Sequence, residues 1–214
     1  SLETGGPVYF RNEPVGCTAT IIWRMYGEHG VEPPKKIAGL LLSAILSDTL
    51  MFRSPTSTPL DEAAARALAA IAGVDMTAYA EQMFEAGADL TGRTAEDVFF
   101  SDFKVFSRGD VKFGVGQSSY MTARSRAAAE ELVAPYLPEA LGQAGVPMVF
   151  FMFTDVQKQA TDLMFCGKDA AAIVQAAFHA EAADGKAVLP GVVSRKKQLI
   201  PPLMAALQAR AEEE

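Results

Sequence analysis

Apolar residues recur every three or four positions through most of the first ninety residues, and then give way to alternation and short apolar runs. "PVYF" at 7–10 is a short strand candidate. "VGCTATIIWRMYGEHG" places Ile21, Ile22, Met25 and Tyr26 at helical spacing and stops at Gly30. Pro33 and Pro34 open a second helix over 35–50, apolar almost all round and therefore expected to be buried. "SPTSTPLDEAAARALAAIAG" carries Thr58, Pro59 at the first helical position, and Asp61 and Glu62 in the first turn, which is a capping signal. Gly73 ends that helix, and 75–88 forms another. The pattern changes near 88–94. "SDFKVFSRGDVKFGVGQSSY" alternates around a hairpin-like turn at Gly109-Asp110. An alanine-rich helix over 122–144 follows, then strands in "VPMVFFMFTDV" and "ATDLMFCG", a helix over 169–183 and a short strand near 187–190.

Strands alternating with helices indicate a second domain of α/β or α+β type. The fold class expected is therefore α/β: a helical part over 1–90, then a mixed α/β domain over 91–214, joined by a hinge at 88–94. No internal repeat is apparent, and 214 residues with 50% hydrophobic content suffice for real cores.

The net charge of −7 argues against a nucleic-acid partner, which selects for a basic face. No apolar run reaches the ~18–20 residues of a membrane span. The start, "SLETGGPVYF", has neither the basic region nor the apolar run of a signal peptide. Cys17 and Cys166 lack metal-type spacing and read as buried free thiols of a cytoplasmic protein.

Three places could carry chemistry. Asp48 ends the apolar helix, where a lone buried carboxylate would be costly. It either caps the following turn, pairs with Arg53, or offers hard oxygen to a divalent metal. Lys104, in "SDFKVF", shares a strand face with Asp102, opposite Phe103 and Val105; by pattern alone a lysine on such an exposed strand face is ordinarily solvated. "GVVSRKKQLIPPL" at 191–203 sets Arg195, Lys196 and Lys197 behind Ser194, a helix N-cap candidate, with a proline pair expected to blunt the helix that follows. Cations at a helix start are unfavourable unless an anion is there, so the cluster reads as an anion clamp or as a solvated basic end. His29 and His179 belong to no metal-spaced group, and "GVGQSS" lacks the Gly-Lys-Ser/Thr ending of a phosphate loop.

"EPVGCTATII", "IAGLLLSAILSDTLMFRSPTST", "DFKVF" and "GVVSRKKQLIPPL" together resemble the family II, manganese-dependent inorganic pyrophosphatases of the DHH phosphoesterase superfamily. The resemblance implies the helical remainder of a DHH catalytic domain followed by a smaller, DHH-associated C-terminal domain. It also implies hydrolysis of pyrophosphate to two phosphates with manganese, or magnesium or cobalt, and a protein able to pair as a homodimer. By the same resemblance Asp48 is a metal ligand, while Lys104, Arg195 and Lys196 bind substrate. The family's His-x-Asn-x-Asp-x-Asp and Asp-His-His motifs do not occur here, so the chain is expected to be a piece starting just past Asp-His-His and inactive by itself. Two rivals stand beside this reading: an exopolyphosphatase-like phosphoesterase, and a non-catalytic phosphate-binding or regulatory module.

Overall fold

A computed structural model of the chain describes residues 5–108 and 111–213. The chain falls into two units, residues 1–80 and 81–214. The turn expected at Gly109-Asp110 lies outside the described residues.

The first unit is helical. Its helices are α1 (Thr18–Glu28), α2 (Lys35–Asp48) and α3 (Pro59–Ala72), and α4 (Met76–Gly87) runs from it into the second unit. α3 starts as its sequence dictates: Thr58 Oγ1 accepts from Asp61 N, and the Asp61 carboxylate accepts from Thr58 N in return. Gly73 ends it at φ 68°, a left-handed conformation that glycine adopts without a Cβ clash. Ala38, Leu41, Leu42, Ile45 and Leu46 of α2 are buried, with Ala64, Ala65, Leu68 and Ala69 of α3 also inside. α2 is not buried all round, because Leu40 is 67% exposed. The expected strand over 7–10 does not form. Without a neighbouring strand in this unit its backbone has no ladder to join, and Val8, Tyr9 and Phe10 are exposed.

The second unit is a five-stranded mixed sheet with helices on both faces. The strands are β1 (Phe103–Arg108), β2 (Val111–Tyr120), β3 (Met148–Asp155), β4 (Ala160–Gly167) and β5 (Lys186–Pro190), adjacent in that order. Only β2 and β3 run parallel, and the crossover between them contains helices, as a parallel connection requires. β3 is buried along its whole length, which explains its unbroken apolar run.

One sheet face packs on α5 (Ala95–Phe100), α6 (Ala123–Val133) and α7 (Leu137–Ala144) through Phe99, Phe151, Phe153, Val133 and Tyr136. The other face packs Phe113, Val115, Phe150 and Phe165 against α8 (Ala170–Phe178), a π-turn at Arg195–Leu199, and α9 (Ile200–Glu213).

Three helix expectations need correction. The helix expected over 122–144 is interrupted by a 3-10 turn at Ala134–Tyr136, because Pro135 and Pro138 cannot donate to the preceding turns. The helix expected over 169–183 stops at Phe178, and His179 is a left-handed cap at φ 51°, outside the helix. Pro201 and Pro202 do not blunt the last helix. They occupy its first turn, following a π-turn in which Ile200 N still reaches Arg195 O.

Candidate functional site

In the first unit, Asp48 is the last residue of α2 and is exposed, so the expected desolvation problem does not arise. It does not pair with Arg53, whose Nη1 donates to Met51 O at 3.4 Å. The Cys17 thiol faces Asp48; burial first, and then this carboxylate, push the thiol up to about 12. Beyond Asp48 the backbone does something the sequence does not announce. Leu50, Met51 and Phe52 all have positive φ, at 48°, 54° and 67°. Left-handed conformations cost roughly 1–2 kcal/mol per non-glycine residue, so the turn must be held from outside. Met51 N donates to Leu46 O and Ser54 N to Thr49 O, each at 2.8 Å. Buried Thr49 ties the turn to α2, its Oγ1 donating to Ile45 O at 2.6 Å and accepting from Phe52 N.

A second anchor lies beneath Cys17. Asp61 is fully buried and its carboxylate accepts from Gly16 N, Cys17 N, Thr20 Oγ1, Thr58 N and Thr58 Oγ1. Burial alone would raise its pKa, but the bonds from Thr20, Thr58 and Gly16 outweigh burial and hold it below the usual carboxylate range. In the sequence, Asp61 carries only the signal of a helix cap.

In the second unit, the loop "GVVS" before Arg195 is tied at nearly every backbone group. Gln198 Oε1 accepts from Val193 N and Ser194 N, both at 3.0 Å, and its Nε2 donates to Gly191 O at 2.7 Å. Thr161 Oγ1 donates to Val192 O, and Gln117 Nε2 to Val193 O. Ser194 is the expected N-cap, its Oγ accepting from Lys197 N at 3.3 Å.

Arg195 is only 8% exposed. Its Nη1 donates to Asp102 O at 2.5 Å and Val115 O at 3.2 Å, and its Nη2 to Asp102 Oδ1 at 2.7 Å. Of five guanidinium N–H groups, those bonds use three. The Nε–H and the second Nη2–H, which share one edge of the plane, have no partner among the described residues. Lys196 and Lys197 are both exposed.

Lys104 pairs in register with Val115 on β2. Directly opposed residues share a sheet face, and Val115 packs with Leu199 and Leu203. Lys104 therefore projects from the face that carries the π-turn, and Arg195 bonds to the carbonyl of its register partner. Gly114 permits this arrangement, because a Cβ there would lie 2.2 Å from Cζ of Phe103. Alternation in the sequence sets Asp102 beside Lys104, but nothing local in the sequence links it to Arg195.

Residues 81–206 match the model of the DHHA2 domain. A Clostridium acetobutylicum protein assigned as a manganese-dependent inorganic pyrophosphatase is 42% identical over 209 residues, covering 98% of this chain and 67% of that protein. The chain belongs to the family II inorganic pyrophosphatases. These are hydrolases, and this chain spans about two thirds of the length of the manganese-dependent relatives. A Clostridium perfringens cobalt-dependent inorganic pyrophosphatase is 39% identical over 209 residues, with 38% of its length matched. A crystal structure from Methanococcus jannaschii assigned to family II superposes with TM-score 0.79 at 33% identity, covering 97% of this chain and 70% of that one.

The metals named in those relatives need several oxygen or imidazole ligands each. Among the described residues no three His, Cys, Asp or Glu side chains gather to hold one. Asp48 is a single exposed carboxylate, so the described residues do not by themselves fit a manganese or cobalt centre.

Proposed function

We propose that the second unit grips the phosphoryl oxygens of pyrophosphate through Lys104, Arg195 and Lys196, as the substrate-binding part of an inorganic pyrophosphatase. The observation that carries this reading is the Arg195–Val115–Lys104 arrangement, in which the register of β1 on β2 sets Lys104 on the face where Arg195 is anchored. Arginine's planar fork suits two phosphoryl oxygens, lysine supplies mobile point charge, and the start of the helical segment adds a positive dipole end. Asp48 is proposed as one metal ligand of the complete enzyme, which would hydrolyse pyrophosphate to two phosphates.

Calorimetric titration of the chain with pyrophosphate tests the clamp. Lys104→Ala, Arg195→Ala and Lys196→Ala should each weaken binding about tenfold or more, the scale of one charge-assisted contact. Lys197→Ala should stay within about twofold, as for an ordinary surface change. Equal losses in all four variants would refute a shaped clamp in favour of diffuse charge.

The single carboxylate at Asp48 favours a second reading, an anion-binding module without turnover. In either case the chain alone should hydrolyse pyrophosphate poorly. Turnover near ~10 per second with manganese would overturn that expectation. Two free cysteines, one of them buried, support a cytoplasmic protein, and a net charge of −7 argues against a nucleic-acid partner; no described helix is long and apolar enough to cross a membrane. A homodimer is proposed only for the complete protein.

A further inference from the structure

Arg195 raises a problem of orientation. A guanidinium on a flexible stem loses much rotamer freedom when it grips an anion, and that loss is reduced only if the group is held beforehand. Here it is held. The Asp102 main-chain carbonyl and the Val115 carbonyl take both Nη1 protons, and the Asp102 carboxylate takes one from Nη2. The Arg195 side chain is 9% exposed and that of Asp102 is 52% exposed, so the carboxylate reaches in from the surface. These acceptors occupy the end of the fork and its Cδ side. What remains is the Nε–H/Nη2–H edge, two parallel donors of the kind that takes two oxygens of a tetrahedral oxyanion.

We propose that Asp102 is the positioning residue of this clamp: by fixing the inner donors of Arg195 it keeps the outer edge set for a phosphate-type oxyanion. The proposal rests on the phosphate-clamp reading above and assigns Asp102 no contact with the ligand. Asp102 holds Arg195 in place rather than competing for it, since its carboxylate and the anion use different protons. Gly114 and Phe103 contribute indirectly, because the ring lying over Gly114 sets the start of β1, and Asp102 immediately precedes that strand.

The test uses the whole chain, with inorganic phosphate as the probe and the nitrogen-15 resonance of the Arg195 Nε–H as the readout, assigned by its loss in Arg195→Lys. In the parent, phosphate should shift this resonance and give a dissociation constant. Asp102→Ala should weaken phosphate binding by about tenfold and reduce the shift, since the fork is no longer pre-set. Asp102→Asn keeps an oxygen for Nη2 and removes a negative charge near the anion, so it should bind at least as tightly as the parent. Thermal unfolding runs alongside. If Asp102→Ala does not fold, Asp102→Glu, whose longer side chain displaces the acceptor, should show the weakening.

Unchanged or tighter binding in Asp102→Ala, or in Asp102→Glu where that variant replaces it, would overturn the positioning role, because it would mean that Asp102 is a bystander or a competitor. Weakening in Asp102→Asn equal to that in Asp102→Ala would overturn it as well. A parent whose Arg195 Nε–H does not respond to phosphate would instead sink the clamp reading itself, so the two failures are distinct.

Discussion

Replacing Asp61 with asparagine tests whether the first unit depends on one buried carboxylate. Oδ2 accepts from Gly16 N at 2.8 Å, Thr58 N at 2.8 Å and Thr58 Oγ1 at 2.7 Å; Oδ1 accepts from Thr20 Oγ1 at 2.6 Å and Cys17 N at 3.3 Å. An amide can keep one oxygen. If it keeps the Oδ2 set, its NH2 faces the Cys17 N–H and the Thr20 hydroxyl. The hydroxyl can turn to accept, but the amide N–H cannot, so one buried donor is left unpaired. An unsatisfied buried donor costs about 1–3 kcal/mol, and losing charge assistance on the remaining bonds adds about 1 kcal/mol. The expected loss is about 2–4 kcal/mol at pH 7, read by urea unfolding with far-UV circular dichroism. The pH dependence gives a second check. The folded-state pKa lies below the unfolded value, so this carboxylate contributes stability above about pH 4 and loses it as pH falls through the folded pKa. The gap between parent and Asp61→Asn should therefore narrow between pH 4 and more acidic conditions. A variant within about 0.5 kcal/mol of the parent at pH 7, or a gap that does not change on acidification, would refute the reasoning.

Gly114→Ala should destabilise the second unit by about 1–3 kcal/mol, because its Cβ would meet a Phe103 ring already packed on Phe99 and Phe100; a melting temperature equal to the parent's would show that the ring moves freely. Cys17, 4% exposed and with its thiol pushed up to about 12, should resist Ellman's reagent at pH 8 until the chain unfolds, whereas the partly buried Cys166 should react first. Two thiols labelled at equal rates in the native chain would contradict this. The hinge proposed at 88–94 predicts first tryptic cleavage after Arg93, beside exposed Gly92 at φ 72°. Earlier cleavage within α2 would count against that boundary.

Elements whose signals are local were legible. The capping box at Thr58 and Asp61, the left-handed stop at Gly73, and the alternation of β1 and β2 are each spelled within a few residues. The left-handed run at Leu50–Phe52 was not legible, since no glycine or asparagine marks it and hydrogen bonds to α2 impose it. The break at Ala134–Tyr136 was written in Pro135 and Pro138 but was outweighed by alanine content. Conversely, Pro201-Pro202 suggested a break where the chain is only starting a turn, and a helix start needs no donor there.

The cation cluster is the most instructive case. Three positive side chains at a helix start pose an electrostatic problem that calls for an anion, and sequence periodicity cannot say whose. The fold answers for Arg195 from within: Asp102, 93 positions away, supplies a carboxylate that only the placement of β1 brings near. That answer is partial. It engages one cation of the three and leaves an edge of the guanidinium open, while Lys196 and Lys197 form no ion pair among the described residues. Had Asp102 been a structural counter-ion alone, a buried, fully satisfied arginine would be expected, with no further cation needed beside it. The proposed clamp accounts for the unspent donors, together with Lys104 on the same sheet face, by a second anion that is not part of the chain.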